Sequence, residues 1–299
     1  MTRRQNGVGV AIHIPSLALQ PYVTFFYFVD VDGALTDFLY PEWGNVRFAL
    51  RGEWQVRMPG RYSTAPQVEV LFGPTDRHGE IVTSGGTTAG FGLTPLGWHR
   101  LFGGDTSAMA NCVAPLGDRL GIDPAELRRH LCNDGDDTAR SVARFEAVLE
   151  LLLSSRPPAD PLFTAADIVL RKRPDNVAAF AAALGVPLRT LHRLCLRGFG
   201  FAPKRLLRRQ RFLDTLGLVR SAVGGKVGPS LDIDYFDQAH FYRDFHDFMA
   251  MSPRDYFSAP RRLMSEAAAA QARAGVTLSF KLPPPPAPDA AALAEIYNL

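Results

Sequence analysis

Between Leu188 and Leu213 the chain carries eight basic residues, Arg189, Arg193, Arg197, Lys204, Arg205, Arg208, Arg209 and Arg211, and no acidic one. Side chains three and four apart on a helix share a face. A helix starting near Leu188 therefore sets Arg189, His192 and Arg193 together. An arginine guanidinium can donate two hydrogen bonds to O6 and N7 of guanine in the major groove. Ordinary exposed helices mix charges of both signs, so a basic run without counter-charge argues against a merely solvated face. The chemistry implied is recognition of a polyanion, not covalent catalysis.

Fifty residues further on the pattern recurs: Leu191, Arg193, Pro203 and Leu206 have counterparts in Phe241, Arg243, Pro253 and Tyr256. In the second copy Asp237 is placed to cap a helix whose core stripe is Phe241, Phe245 and Phe248, with Gln238, Tyr242 and Arg243 on the opposite side. Ser252-Pro253-Arg254-Asp255 opens one more short helix.

These side chains need elements to hold them. Asn176 is a good N-cap, and Val177, Phe180, Ala181 and Leu184 fall on one face of the helix it starts. Gly185 can take the left-handed conformation that ends it. A second helix follows at once, with Leu188, Leu191, Leu194 and Cys195 as its apolar stripe; two short helices on a tight glycine turn make a helix-turn-helix. From Pro203 to about Ser221 the pattern predicts a helix of ~18 residues, or ~27 Å. A rod of that length can hold two recognition helices about one DNA turn, ~34 Å, apart.

The rest of the chain sets the context. Its 299 residues suit two domains. Hydrophobic residues at 46% and charged residues at 21% exclude global disorder and fibrous classes. No apolar run approaches the ~20 residues that span a bilayer. No secretory signal is legible at the N-terminus, and three scattered cysteines (Cys112, Cys132, Cys195) suggest neither a disulfide frame nor a zinc site, so a cytoplasmic home is expected. The net charge of +3 divides unevenly: residues 1–160 sum to −4, 161–262 to +8 and 263–299 to −1. Residues 8–104 read as mostly β, with short runs such as Tyr22 to Val29, Val46 to Leu50 and Trp54 to Met58 between turn clusters, which suggests an antiparallel barrel or sandwich. Asp123-Pro124 starts one helix and Asp137 another, with Val142, Phe145, Val148, Leu149 and Leu152 on its apolar face. The expected organisation is α+β: a β-rich domain with helices over 1–156, a proline-rich linker at 157–161, an all-α tandem helix-turn-helix domain over 162–262, and an Ala/Pro-rich tail over 263–299, including the Pro283–Pro286 run.

Phe236-Asp237-Gln238-Ala239-His240-Phe241-Tyr242-Arg243-Asp244-Phe245, followed by Met251-Ser252-Pro253-Arg254-Asp255-Tyr256, resembles the signature of AraC/XylS-type (arabinose-regulator-like) bacterial transcription regulators. Leu184-Gly185-Val186, Arg189-Thr190-Leu191-His192-Arg193 and Gly200-Phe201-Ala202-Pro203 are similar to that family's first helix-turn-helix and the start of its linker helix. The resemblance covers about residues 165–258. It implies base reading by Arg189, His192 and Arg193 in the first unit and by Gln238, Tyr242 and Arg243 in the second. Thr190, Lys204, Arg208 and Arg254 would touch phosphate, where contacts position without specifying. The partners it implies are double-stranded DNA, RNA polymerase, a small-molecule effector and a second copy of the chain. The chain departs from the pattern in Gly224-Gly225-Lys226-Val227-Gly228-Pro229-Ser230-Leu231, in Asp234 where a turn glycine is usual, and in Pro187 where a Ser cap is common. The first unit is therefore expected to carry more of the specificity.

Leu19-Gln20-Pro21-Tyr22-Val23 and Leu39-Tyr40-Pro41-Glu42-Trp43-Gly44-Asn45 resemble the small cupin-like β-domain that precedes some such regulators, which implies effector sensing or dimerisation. Trp43, Trp54, Phe72 and Trp98 are candidates to line a ligand pocket; the alternative is that they are core. A catalytic cupin needs a closely spaced histidine pair with a carboxylate. His13, His78, His99 and His130 supply no such pair, so neither enzyme, metal nor cofactor is expected. Gly85-Gly86-Thr87-Thr88-Ala89-Gly90 lacks the lysine of a phosphate loop and reads as a turn. The alternative function is an interaction protein with a degenerate DNA-binding domain; a third is an enzymatic cupin fused to a DNA anchor.

Overall fold

The computed structural model describes residues 7–58, 61–62, 68–132, 137–222, 238–259 and 261–276. The departures at 224–231 and Asp234, the cap assigned to Asp237 and the Pro283–Pro286 run lie outside the described residues.

The N-terminal half is built from two antiparallel sheets. Six strands pair in the order β1 (Val8–His13), β2 (Val23–Val31), β9 (Gly86–Leu93), β4 (Asn45–Arg51), β7 (Glu69–Phe72), β10 (Val113–Pro115). Four more pair as β3 (Leu35–Leu39), β8 (Gly79–Thr83), β5 (Trp54–Met58), β6 (Arg61–Tyr62). This double-sheet form is how cupin-like folds cover their strand edges. β2 is buried on both faces because side chains alternate along a strand. Phe26 and Phe28 pack on Phe145 of α3 (Thr138–Ser154), whereas Phe25, Tyr27 and Val29 face the second sheet.

The Gly-rich stretch read as a turn is strand β9, in the middle of the larger sheet. Its glycines answer to close approach. A Cβ on Gly90 would lie 2.2 Å from the Val46 carbonyl oxygen and 2.5 Å from the Tyr27 hydroxyl; one on Gly92 would lie 2.2 Å from Thr24 Oγ1. Strand glycine often marks such contacts, and composition alone disguises the strand.

Helices cover the outer face of the six-stranded sheet. α1 (Pro95–Phe102) interrupts the stretch expected to be β; Thr94 caps it, accepting from Gly97 N at 2.9 Å. α2 (Pro124–Leu131) and α3 start at Asp123 and Asp137 as the capping pattern requires, and Leu127, Leu131, Phe145, Leu149 and Leu152 are buried.

The C-terminal half is helical. α4 (Pro161–Arg171), α5 (Val177–Ala183) and α6 (Leu188–Phe199) form one unit around Phe163, Phe180, Leu191, Cys195 and Phe199. α7 (Pro203–Ala222) is a rod of 20 residues, ~30 Å long. α8 (Gln238–Met249) and α9 (Pro253–Ser258) pack on it through Phe212, Leu216, Phe241, Phe245, Phe248 and Tyr256. α10 (Arg262–Arg273) leaves this domain and lies on β1 and β3. Among the described residues no helix is long and apolar enough to cross a membrane.

Candidate nucleic-acid interface and ligand cavity

Asn176 caps α5 by accepting from Ala179 N at 2.9 Å, and Gly185 makes the turn into α6 at φ +65°. Nothing lies within 4 Å of where its Cβ would stand, so glycine is required there by backbone angle alone. Pro187 leaves α6 without a side-chain cap. Leu191 and Cys195 anchor α6 in the core, and this turns Arg189, His192 and Arg193 to solvent, with Thr190 partly exposed beside them. Leu188, expected in the apolar stripe, is the first residue of α6 and is 56% exposed. Arg189 and Arg193 have no ion-pair partner among the described residues.

α8 divides its faces in the same way as α6. Phe241, Phe245 and Phe248 are buried, and Tyr242 and Arg243 are exposed on the other side of α8. Gln238 is the first residue of that helix; its side chain is not among those described. Ser252 caps α9 by accepting from Asp255 N at 3.1 Å, leaving Arg254 exposed in its first turn.

The basic run does not face one way. Lys204 and Arg211 are exposed, but three of its arginines find counter-charges or rings elsewhere in the fold. Arg205 donates to Asp76 Oδ2 at 2.6 Å and to the Asp76 carbonyl at 2.9 Å, and also pairs with Asp247. Arg208 pairs with Asp244 and, at 3.0 Å, with Asp247. Arg209 is 2% exposed, with its guanidinium 3.9 Å from the Trp43 ring centre. Burial lowers its pKa to about 9, and Asp76 and Glu42 oppose the shift. The absence of acidic neighbours in sequence therefore did not mean absence of partners in space. The charge of Arg208, expected on phosphate, is met in this structure by Asp244 and Asp247.

These contacts join the halves. His78 N donates to the Phe248 carbonyl at 2.8 Å, Thr106 Oγ1 to the Gly198 carbonyl at 3.1 Å, and the Tyr40 and Tyr256 hydroxyls bond each other. α6, α8 and α9 thus each touch the β-domain directly.

Between the two sheets lies a cavity open to solvent. Its walls are mainly apolar, among them Phe25, Val29, Trp54 and Ile81, with a polar end made by Tyr27, Glu42, Asn45 and Arg47. Arg47 Nε donates to the Tyr27 hydroxyl at 3.1 Å, and that hydroxyl donates to Asn45 Oδ1 at 2.7 Å. The Arg47 guanidinium rests 4.6 Å from the Phe72 ring centre. Arg47 is 8% exposed, and its Nη1 is buried without a hydrogen-bond partner. Desolvation pushes the Glu42 carboxyl up to about 7 although Arg47 and Arg209 pull it down.

Of the four aromatic residues expected to line a pocket, Trp54 does so. Phe72 stands behind Arg47, Trp43 packs on Phe199 and Arg209, and Trp98 lies in the core against Phe102. The polar end was missed in the sequence because Tyr27 comes from β2 and Asn45 and Arg47 from β4, on either side of β9. Their alternation with core residues was the available signal. Among the described residues no three His, Cys, Asp or Glu side chains cluster as a metal site would require.

A family model described as a helix-turn-helix domain matches residues 180–259, the span from α5 to the end of α9. No curated protein matches the chain. Solved structures of similar fold include ToxT from Vibrio cholerae (9% identity over 85% of this chain and 98% of that one, TM-score 0.43). Another is unsaturated fatty acid bound wild-type ToxT from Vibrio cholerae strain SCE256 (10%, 86% and 97%, 0.41). A third is the AraC-like transcriptional activator CuxR (14%, 70% and 86%, 0.30). These likenesses are weak, and the assignment rests on the matched segment and its motifs. The family match marks residues 180–259 as a helix-turn-helix domain, the class of fold that docks a helix in the DNA major groove. The matched span holds the segments that resemble the AraC/XylS signature, and the β-domain precedes it in the chain.

Proposed function

We propose that the protein is a sequence-specific regulator that reads the major groove with α6 and α8, and that a small molecule held in the β-domain controls it. The observation that carries the DNA reading is the paired orientation of these helices. Each buries one face in its own aromatic core and offers basic side chains on the other, and α7 spans the two. Arg189, His192 and Arg193 would read bases from α6, and Gln238, Tyr242 and Arg243 from α8. Thr190, Lys204 and Arg254 would meet phosphate. Such a protein works in the cytoplasm, where contact with RNA polymerase and pairing with a second copy belong to the same reading.

Effector control is supported by the cavity. An unsatisfied buried donor costs ~1–3 kcal/mol, and Arg47 Nη1 is one at the polar end of an apolar space. A mostly apolar molecule carrying an anionic or carbonyl oxygen would satisfy it.

Selection of the full chain against fragments of its own genome at about 150 mM salt tests the DNA reading. The expected result is two half-sites about one helical turn apart. One half-site would restrict base reading to the first unit. No enrichment, with or without small-molecule extract of its host, would favour an interaction protein. For the cavity, Arg47→Met is expected to keep or raise thermal stability while weakening 8-anilinonaphthalene-1-sulfonate binding tenfold or more. Equal binding by both proteins would remove Arg47 from the site.

A further inference from the structure

The wall of the cavity is not closed by the β-domain alone. Leu263, Met264, Ala267 and Gln271 of α10 line it as well, although they follow the DNA-binding domain in the chain. Spacing of one, three and four places them along a single helix face. Leu263 and Ala270 pack into the same core as Val8, Val10 and Val29. The helix is started by a residue far from it in sequence. Arg261, at the N-cap position, provides no side-chain capping bond, and Asp37 of β3 instead accepts from Leu263 N at 2.9 Å and Met264 N at 3.0 Å. Asp37 has no exposed surface, and its other carboxylate oxygen accepts from Phe38 N at 2.8 Å. A buried carboxylate that fills its acceptor sites with N–H groups of a foreign helix fixes where that helix begins.

We infer that α10 is part of the ligand site: the ligand is recognised jointly by the β-domain and by the helix that follows the DNA-binding domain, and binding fastens that helix to the β-domain. This inference rests on the cavity being a ligand site, as proposed above. Gln271 is the polar residue among the four, so it is the one suited to select a ligand group at this wall, while Arg47 holds an oxygen at the other. Three residues separate α9 from α10, and Tyr256 of α9 bonds Tyr40, itself a wall residue. A ligand that holds α10 therefore also favours the docked position of the second helix-turn-helix unit.

Hydrogen–deuterium exchange of the full chain, with and without 8-anilinonaphthalene-1-sulfonate, tests this. The expected result is exchange slowed at least tenfold in the peptide spanning 261–276, together with slowing in β2 and β4. Slowing in the strands with α10 unchanged would overturn the joint site and leave the cavity reading standing. Slowing in neither would overturn the cavity reading, and the joint site with it. Gln271→Leu, at a partly exposed position of the wall, is expected to change the ranking of a panel of apolar anions differing in a second polar group. An unchanged ranking would deny Gln271 its selecting role. Asp37→Asn is expected to speed exchange of α10 about tenfold without ligand, and an unchanged rate would show that Asp37 does not anchor the helix.

Discussion

At the scale of single residues, the exposed and the paired arginines should behave differently. Arg193 is exposed on the recognition face, so Arg193→Ala should cost about 1–3 kcal/mol of specific binding and relax one base position. Lys204→Ala should weaken all sequences alike and lower the salt slope by about one. Arg208→Ala should leave that slope unchanged and instead destabilise the packing of α8 on α7, because its charge is already met by Asp244 and Asp247. Binding titrations on specific and random duplexes across a salt series check all three, and a fall in slope for Arg208→Ala would return it to the phosphate contacts. Glu42 yields a pH prediction. Its folded pKa of about 7 lies above the ordinary value of 4.5, so the native state holds the proton more tightly than the unfolded chain. That difference favours the fold fully below about pH 4.5 and is lost as pH rises to about 7. Glu42→Gln removes the penalty, so its stability relative to the natural chain should rise between pH 5 and 8 by about 1–3 kcal/mol, read by chemical denaturation.

At the scale of elements, two glycines do unlike work. Gly185 has open space around it and a positive φ, so Gly185→Ala should cost about 1–2 kcal/mol through backbone strain and leave the packing of α5 and α6 intact. Gly90 has an extended backbone in a closed space, so Gly90→Ala should cost more, about 2–4 kcal/mol, through displacement of β4 or Tyr27. Thermal denaturation of the two variants orders them; a milder effect at Gly90 would mean that the strands separate easily there. The helices other than α1 were legible in large part element by element. Asn176, Asp123, Asp137 and Ser252 cap where capping chemistry places them, since an N-cap is a local bargain between one side chain and the next turn. The sheet was legible only in part. β9 was hidden because its glycines respond to neighbours on β2 and β4, which no local pattern contains.

At the scale of the whole molecule, the β-domain holds both DNA-binding units, through Thr106 and Gly198 on one side and Tyr40, His78 and Asp76 on the other. A ligand that favours this docked arrangement must change DNA affinity unless both states bind DNA equally, and linkage makes the effect reciprocal. The affinity for 8-anilinonaphthalene-1-sulfonate should therefore change on addition of specific duplex by the same factor as DNA affinity changes on addition of the dye. Unequal factors would mean that the dye and the duplex compete at a third site.

The sequence by itself determined α5, α6 and α9, the caps at Asn176 and Ser252, and the exposed basic face of α6, because each depends on residues within about one helical turn of one another. Only the tertiary structure decided which arginines of the basic run remain available, where the cavity lies and what walls it. Asp76, Asp244 and Asp247 meet Arg205 and Arg208 from other elements, and Asp37 starts a helix more than 220 residues away. Charge and burial are settled by what comes close in space, and the spacing of residues along a chain records only the part of that closeness that is local.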